Sequence, residues 1–157
     1  PGALPFLLDV ARALVSGADF RLGDFTDLQF DDASFDFAIC ALALTHLPDP
    51  SPAIAEMNRV VRPGGRIVLT DAHPAFVLVQ GQAMFATPNG MAFVRNYPHF
   101  HGAYLRAFRE LGLDVLDCLE ATMDVRPGEG WVGSASDAVV ALWDGIPAAL
   151  VWSLQKR

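Results

Sequence analysis

The chain has 157 residues, enough for one domain with a core of its own. Apolar residues make up 52 % and charged residues 18 %, which excludes a disordered chain. The net charge of −7, with no basic run to offset it, argues against a nucleic-acid backbone as partner.

No apolar stretch reaches the ~18–20 residues that a membrane span needs. Pro1 to Leu8 lacks the basic start of a secretory signal. Cys40 and Cys118 both sit in apolar runs and read as buried free thiols, which fits a reducing cytoplasm.

In chain order, Leu7, Leu8, Ala11, Leu14 and Val15 form a helical stripe that Gly17 ends. Ala18 to Leu22 reads as a short strand. Phe35 to Leu44 is almost wholly apolar, as expected of a strand covered on both faces. Asp49-Pro50-Ser51-Pro52 then starts a helix, with Ser51 as expected N-cap and Pro52 as first helical residue. Ile54, Met57, Val60 and Val61 share its apolar face. Arg62-Pro63-Gly64-Gly65 stops it, and Arg66 to Thr70 is the next buried strand. This strand–helix–strand unit calls for parallel pairing through a right-handed crossover. Asp71 ends the second strand, where open parallel sheets keep their ligand crevice.

Beyond Pro74 the periodicity loosens. Asn89-Gly90 between two apolar runs is a hairpin signal, so residues 75–98 read as a hairpin insertion that either covers the crevice as a lid or shields the sheet edge. Gly102 to Gly112 reads as a helix, Leu113 to Glu120 as a strand, Ser136 to Asp144 as a helix and Ala148 to Leu154 as a final strand. Gly128 to Gly133 fits G-x-G-x-x-G, but Arg126-Pro127 precedes it rather than a strand, so it reads as a loop.

The order of residues from Gly23 to Pro74 resembles the second half of class I S-adenosylmethionine-dependent methyltransferases of the small-molecule type. Gly23-Asp24, Leu28-Gln29-Phe30, Ser34-Phe35-Asp36, Leu44-Thr45-His46 and Glu56 to Gly65 carry the resemblance. It implies an α/β Rossmann-like sheet comprising the family's strands three to seven, mostly parallel with an antiparallel last strand. The whole chain, 1–157, then reads as a single, N-terminally incomplete methyltransferase domain. The family's first strand with its Gly-rich loop, and its second strand, have no counterpart, which leaves a sheet edge to be paired or covered. A homodimer through that edge is one way to pair it.

What the resemblance implies for function is methyl transfer from S-adenosylmethionine to a small-molecule acceptor, with the chain inactive by itself. Asp24 would accept from the adenine amino group, since an ionised carboxylate only accepts. Phe25 would wall the ring, and the backbone of Ala41, Leu42 and Ala43 would face the sulfonium. His46, Tyr97 and His99 are the candidate catalytic residues, each lining the acceptor pocket or acting as base, and His101 shares that reading. His99 and His101 would share a face if extended. A metal site needs a further ligand, with His73, His46 or Asp71 the sources, and the reading is that none is bound. Arg95 is a candidate for meeting an acidic acceptor. Asp31, Asp32, Glu56 and Arg62 read as a solvated face. Two rivals remain: an inactive methyltransferase-like subunit that binds a partner chain, and an NAD(P)-dependent oxidoreductase resting on the Gly128 motif.

Overall fold

The computed structural model describes residues 3–79, 84–88, 90–124 and 137–157. The elements run α1 (Ala3–Leu14), β1 (Phe35–Ala41), a 3-10 turn at Leu44–His46, α2 (Ser51–Val60), β2 (Val61–Ala72) and α3 (Pro74–Leu78). Then follow β3 (Met84–Thr87), β4 (Gly90–Phe93), α4 (His101–Glu110), β5 (Leu113–Thr122), α5 (Asp137–Trp143) and β6 (Pro147–Lys156).

One sheet has the order β1-β2-β6-β5. β1 and β2 are parallel, and β6 runs antiparallel to both of its neighbours. β1, β2 and β5 therefore share a direction, and their carboxyl ends lie on one side of the sheet. The α/β character, the parallel pair and the antiparallel last strand are as the sequence predicts. The strand expected at Ala18–Leu22 does not form: that segment pairs with no described strand, and only a lone bridge between Asp24 and Asp27 follows it. A strand has no backbone hydrogen bonds of its own to make, so it exists only beside a partner.

The core lies between one face of the sheet and helices α2 and α4. Cross-strand pairs Ile67–Leu154 and Leu69–Trp152 point into it, as do Ile54, Met57, Tyr104 and Phe108. Each aliphatic side chain so buried contributes about 1.5–3 kcal/mol. The opposite face of β1 is open: Phe37 is 46 % and Ile39 63 % exposed. Coverage of both faces, expected from the apolar run, is therefore met on one face only. The far end of the α1 stripe likewise finds little to pack on, with Leu14 79 % exposed and Val15, just past the helix, exposed too. Cys40 is half-buried, but Cys118 is exposed on the edge strand β5 rather than buried as its apolar setting suggests.

Helix α2 starts one residue earlier than expected. Pro50 is its N-cap, and Asp49 Oδ1 accepts the Ser51 N–H at 2.9 Å. At its far end Lys156 Nζ donates to the carbonyls of Asn58 and Val61, groups that a helix terminus leaves without intrahelical donors. β2 follows α2 directly, and the Pro63-Gly64-Gly65 turn is absorbed as a register break between the Phe35–Val61 and Phe37–Arg66 pairs.

One segment differs in kind from the reading. Pro74–Leu78 is a short helix rather than part of an extended run, because His73 caps it by accepting the Ala75 N–H. The hairpin does form, with Thr87 opposite Gly90, while Asn89 of its turn lies outside the described residues. The Gly128 to Gly133 motif also lies outside the described residues.

Candidate active site

The carboxyl end of β1 closes in an unusual turn. Leu42 has φ +52° and is 55 % exposed, and its N–H donates to the Thr70 carbonyl at 2.8 Å. A leucine in the left-handed region is strained. The turn redirects the backbone of Ala41–Ala43 away from the sheet at the side where open α/β sheets hold ligands.

Asp24 lies in a separate turn. Its Oδ1 accepts the backbone N–H of Thr26 at 2.8 Å and the Thr26 hydroxyl at 2.7 Å. Those hydrogen bonds, from the hydroxyl first, hold its carboxyl below the usual carboxylate range. Oδ2 has no partner among the described residues and remains a charged acceptor. Phe25 next to it lines a cleft of about 320 Å³ that runs along Phe37 and Ile39 to Cys40, the residue before Ala41. Asp24 itself lines an adjoining cleft of about 350 Å³. Ala41–Ala43 line neither of these clefts.

The three candidate catalytic residues meet around the Leu44–His46 turn. His46 Nδ1 is 3.2 Å from the Arg95 carbonyl. The Tyr97 N–H donates to the Thr45 carbonyl at 2.7 Å, and Arg95 lies over the Tyr97 ring at 5.7 Å. His99 is 5 % exposed, with Nε2 3.1 Å from the Leu44 carbonyl and its ring against Tyr104. Segment 95–99 is therefore strapped across the turn. Tyr97 and Arg95 also line a cavity of about 470 Å³ together with Val77, Leu78 and Phe93, between α3 and the hairpin.

Asp71 does not face the crevice. It is 1 % exposed and turned into the core, where Oδ1 accepts the Thr45 N–H at 2.8 Å and Oδ2 the Tyr104 hydroxyl at 2.5 Å. Burial pushes its carboxyl above the ordinary aspartate value, against the pull of those hydrogen bonds. Burial beside Asp71 pushes the Tyr104 hydroxyl up as well.

Glu56 is no surface ornament either. Its carboxylate accepts the Leu28 N–H at 2.8 Å and pairs with Arg59, whose guanidinium also donates to the Leu28 and Phe30 carbonyls. This clamp ties the Leu28–Phe30 loop to α2. Asp32 joins it at the edge through Arg59, and Arg62 pairs separately with Asp36.

A second cluster joins His73 and His101, both candidates from the sequence, to Glu120, which no sequence pattern singles out. His73 Nε2 and His101 Nε2 lie 3.1 and 2.8 Å from the same oxygen, Glu120 Oε1. The two rings pack edge-on at 5.6 Å. The cluster sits where β2 and β5 end and α4 begins. His73 and Glu120 are 47 positions apart, so no local spacing signals the pair.

Residues 5–69 match the methyltransferase domain family. Methyltransferase GfsG of Streptomyces halstedii is 29 % identical over 76 % of this chain and 45 % of its own length. Demethylmenaquinone methyltransferase of Renibacterium salmoninarum is 39 % identical over 45 % of this chain and 30 % of its own. The chain thus spans less than half the length of these curated relatives. Among solved structures, an S-adenosylmethionine-dependent methyltransferase from Mesorhizobium loti superposes with TM-score 0.64 at 18 % identity, over 94 % of this chain and 75 % of its own. The [4+2]-cyclase SpnF superposes with TM-score 0.60 at 21 % identity, over 97 % of this chain and 62 % of that one. No described helix is long and apolar enough to cross a membrane. Residues 5–69 thus match the methyltransferase domain family by sequence, and the described fold is the Rossmann-like fold of S-adenosylmethionine-dependent methyltransferases.

Proposed function

We propose that the protein transfers a methyl group from S-adenosylmethionine to a small-molecule acceptor. The observation that carries this reading is Asp24, ionised, with one carboxylate oxygen locked by Thr26 and the other open beside the apolar wall of Phe25. That pairing suits an amino-bearing aromatic ring such as adenine. The backbone of Ala41–Ala43, redirected by the strained turn at Leu42, supports the sulfonium end. The donor supplies an electrophilic methyl when bound. The chain's own part is to bind and orient, which is where most of the rate in such a displacement arises.

For the acceptor, the cavity under the hairpin offers Val77, Leu78 and Phe93 as apolar wall and Arg95 and Tyr97 as polar contacts. This supports a largely apolar acceptor, in keeping with the demethylmenaquinone named for one relative. The hairpin then acts as a lid. His46 and Tyr97 border the acceptor side, while His99, buried against Leu44, positions the turn.

The fold alone does not dictate methyl transfer, since a cyclase shares it. A second reading has a specific observation behind it: the exposed Phe37 and Ile39 on an edge strand suit pairing with another chain, in an inactive subunit or a homodimer. Calorimetry on the protein in its full natural length separates these. Binding of S-adenosylmethionine and of its demethylated product, weakened about tenfold or more by Asp24→Asn, supports the methyltransferase. Binding of neither favours the subunit. Binding of NAD(P)H alone favours the oxidoreductase.

A further inference from the structure

The geometry points to His101 Nδ1 as a proton-accepting site for a hydroxyl-bearing acceptor, held in its basic tautomer by a hydrogen-bond chain that starts at the Ala75 backbone. This deepens, and rests on, the methyltransferase reading.

The Ala75 N–H donates to His73 Nδ1 at 3.1 Å. A ring nitrogen that accepts carries no proton, so neutral His73 carries its proton on Nε2. That Nε2–H donates to Glu120 Oε1 at 3.1 Å. The Glu120 carboxyl is held below the usual range, first by this hydrogen bond, so it is an ionised group that only accepts. His101 Nε2 lies 2.8 Å from the same oxygen and must donate to it. The lone pair of His101 is therefore on Nδ1.

Exposure divides the labour between the rings. The His73 side chain is 9 % exposed and serves as the anchor, while that of His101 is 37 % exposed and meets what comes from outside. Trp152 at 5.8 Å and His73 at 5.6 Å pack edge-on against the His101 ring and fix its plane. The site opens at the carboxyl ends of β2 and β5, the same side of the sheet as the Leu42 turn. A carboxylate that sets a histidine's tautomer and then faces its cationic form is a recurrent arrangement for general bases.

The chemistry selects a hydroxyl. A neutral amine attacks with its own lone pair, whereas an O–H must give up its proton. The O–H electron pair stays on oxygen and the proton goes to His101 Nδ1. The oxygen's electron pair forms the new bond to carbon as the S–CH3 pair returns to sulfur. His101 is left as an imidazolium beside the Glu120 carboxylate.

The same three side chains offer ligand atoms within 4.8 Å of one another, as a metal site would. A metal on His73 Nε2, however, would drive the ring proton to Nδ1, directly against the Ala75 N–H. The cluster is a tautomer lock rather than a metal cage.

The test is long-range 1H–15N correlation on the full chain at pH 8, with 15N-labelled histidine. Both His73 and His101 are expected as Nε2–H tautomers. Glu120→Ala is expected to release His101 to a mixture while His73, still pinned by Ala75, stays Nε2–H. A His101 proton on Nδ1 in the unsubstituted protein overturns the proposal. So does stoichiometric, micromolar capture of Zn2+ that shifts both Nε2 signals. In the full-length protein, His101→Gln should lower kcat toward a hydroxyl acceptor about 100-fold or more, with S-adenosylmethionine affinity unchanged. An unchanged kcat overturns the base. Failure to bind S-adenosylmethionine in any variant instead overturns the methyltransferase reading, and the tautomers still decide the site.

Discussion

The Tyr104 hydroxyl donates to Asp71 Oδ2 at 2.5 Å, 33 positions along the chain, and both groups are buried. The other oxygen of Asp71 holds the Thr45 N–H. One carboxylate thus fastens α4 and the turn after β1 to the end of β2, which fixes the floor beneath His46 and His99. Tyr104→Phe removes a donor without removing the ring and leaves a buried carboxylate oxygen unsatisfied. The expected cost is about 1–3 kcal/mol, read as a Tm drop of several degrees by calorimetry.

The same carboxylate makes stability depend on pH. Its folded pKa lies above the unfolded value because burial disfavours the charge. A raised folded pKa means the native state holds the proton longer, so the Asp71 contribution falls as pH rises from about 3.9 through the folded value. Asp71→Asn carries no such term. Denaturant melts of the two proteins from pH 3 upward should show the variant gaining on the parent across that window, and parallel curves would show that Asp71 is not responsible.

The two glycines of the Pro63-Gly64-Gly65 turn do different jobs. Gly64 has φ +77° with open space around it, so Gly64→Ala suffers only the left-handed backbone penalty, about 1–2 kcal/mol. A Cβ on Gly65 would lie 2.8 Å from the Asp36 carbonyl and 2.9 Å from that of Arg62. Backbone atoms at the register break cannot swing aside. Gly65→Ala should cost at least as much as ordinary overpacking, about 1–3 kcal/mol. It should also be the substitution that loosens β1 from β2, visible as faster hydrogen exchange along β1 only in that variant.

The Glu56–Arg59 clamp makes a local prediction. Arg59, through its hydrogen bond first, lowers the Glu56 carboxyl. A lowered folded value means the clamp is fully present above about pH 4.3 and is lost as pH falls below it. The Leu28 amide, which donates to Glu56, should exchange faster on acidification and in Glu56→Ala at neutral pH, with the amides of α2 still protected. Equal rates in both proteins would mean the loop is held by other means.

Much of this architecture was legible because it is local. The apolar runs of β1 and β2, the Pro and Gly punctuation around α2 and the hairpin each declare themselves within a dozen residues. What failed is what depends on partners. Ala18–Leu22 has strand composition but no neighbour to pair with. Ala75–Leu78 has strand-like side chains, yet a histidine just before it caps a helix. Asp71 was expected to face the crevice because it ends a strand, but the alternation of β2 points it inward beside Ile67 and Leu69. Tyr104 and Glu120 fall in a readable helix and strand, but their roles carry no local pattern, since each acquires its role only when α4 and β5 fold back over β2. The histidines were legible as a group, but only the fold separates His99, buried under Leu44, from His101, which is open to solvent.

Leu42 offers a test of how the site uses its backbone. At φ +52° a leucine forfeits about 1–2 kcal/mol, which glycine would not, although glycine gives back about 0.5–1 kcal/mol through its freer unfolded chain. Leu42→Gly should therefore be neutral or slightly stabilising. Leu42→Val should be clearly worse than the parent, because a β-branched residue tolerates that region least. If the turn serves the methyl donor through its peptide groups, Leu42→Gly keeps donor affinity in the full-length protein, since the side chain at that position is dispensable. Leu42→Val, which pushes the peptide out of its left-handed geometry, weakens donor binding together with stability. Loss of affinity in Leu42→Gly with stability intact would show that the exposed side chain, and not the backbone, makes the contact.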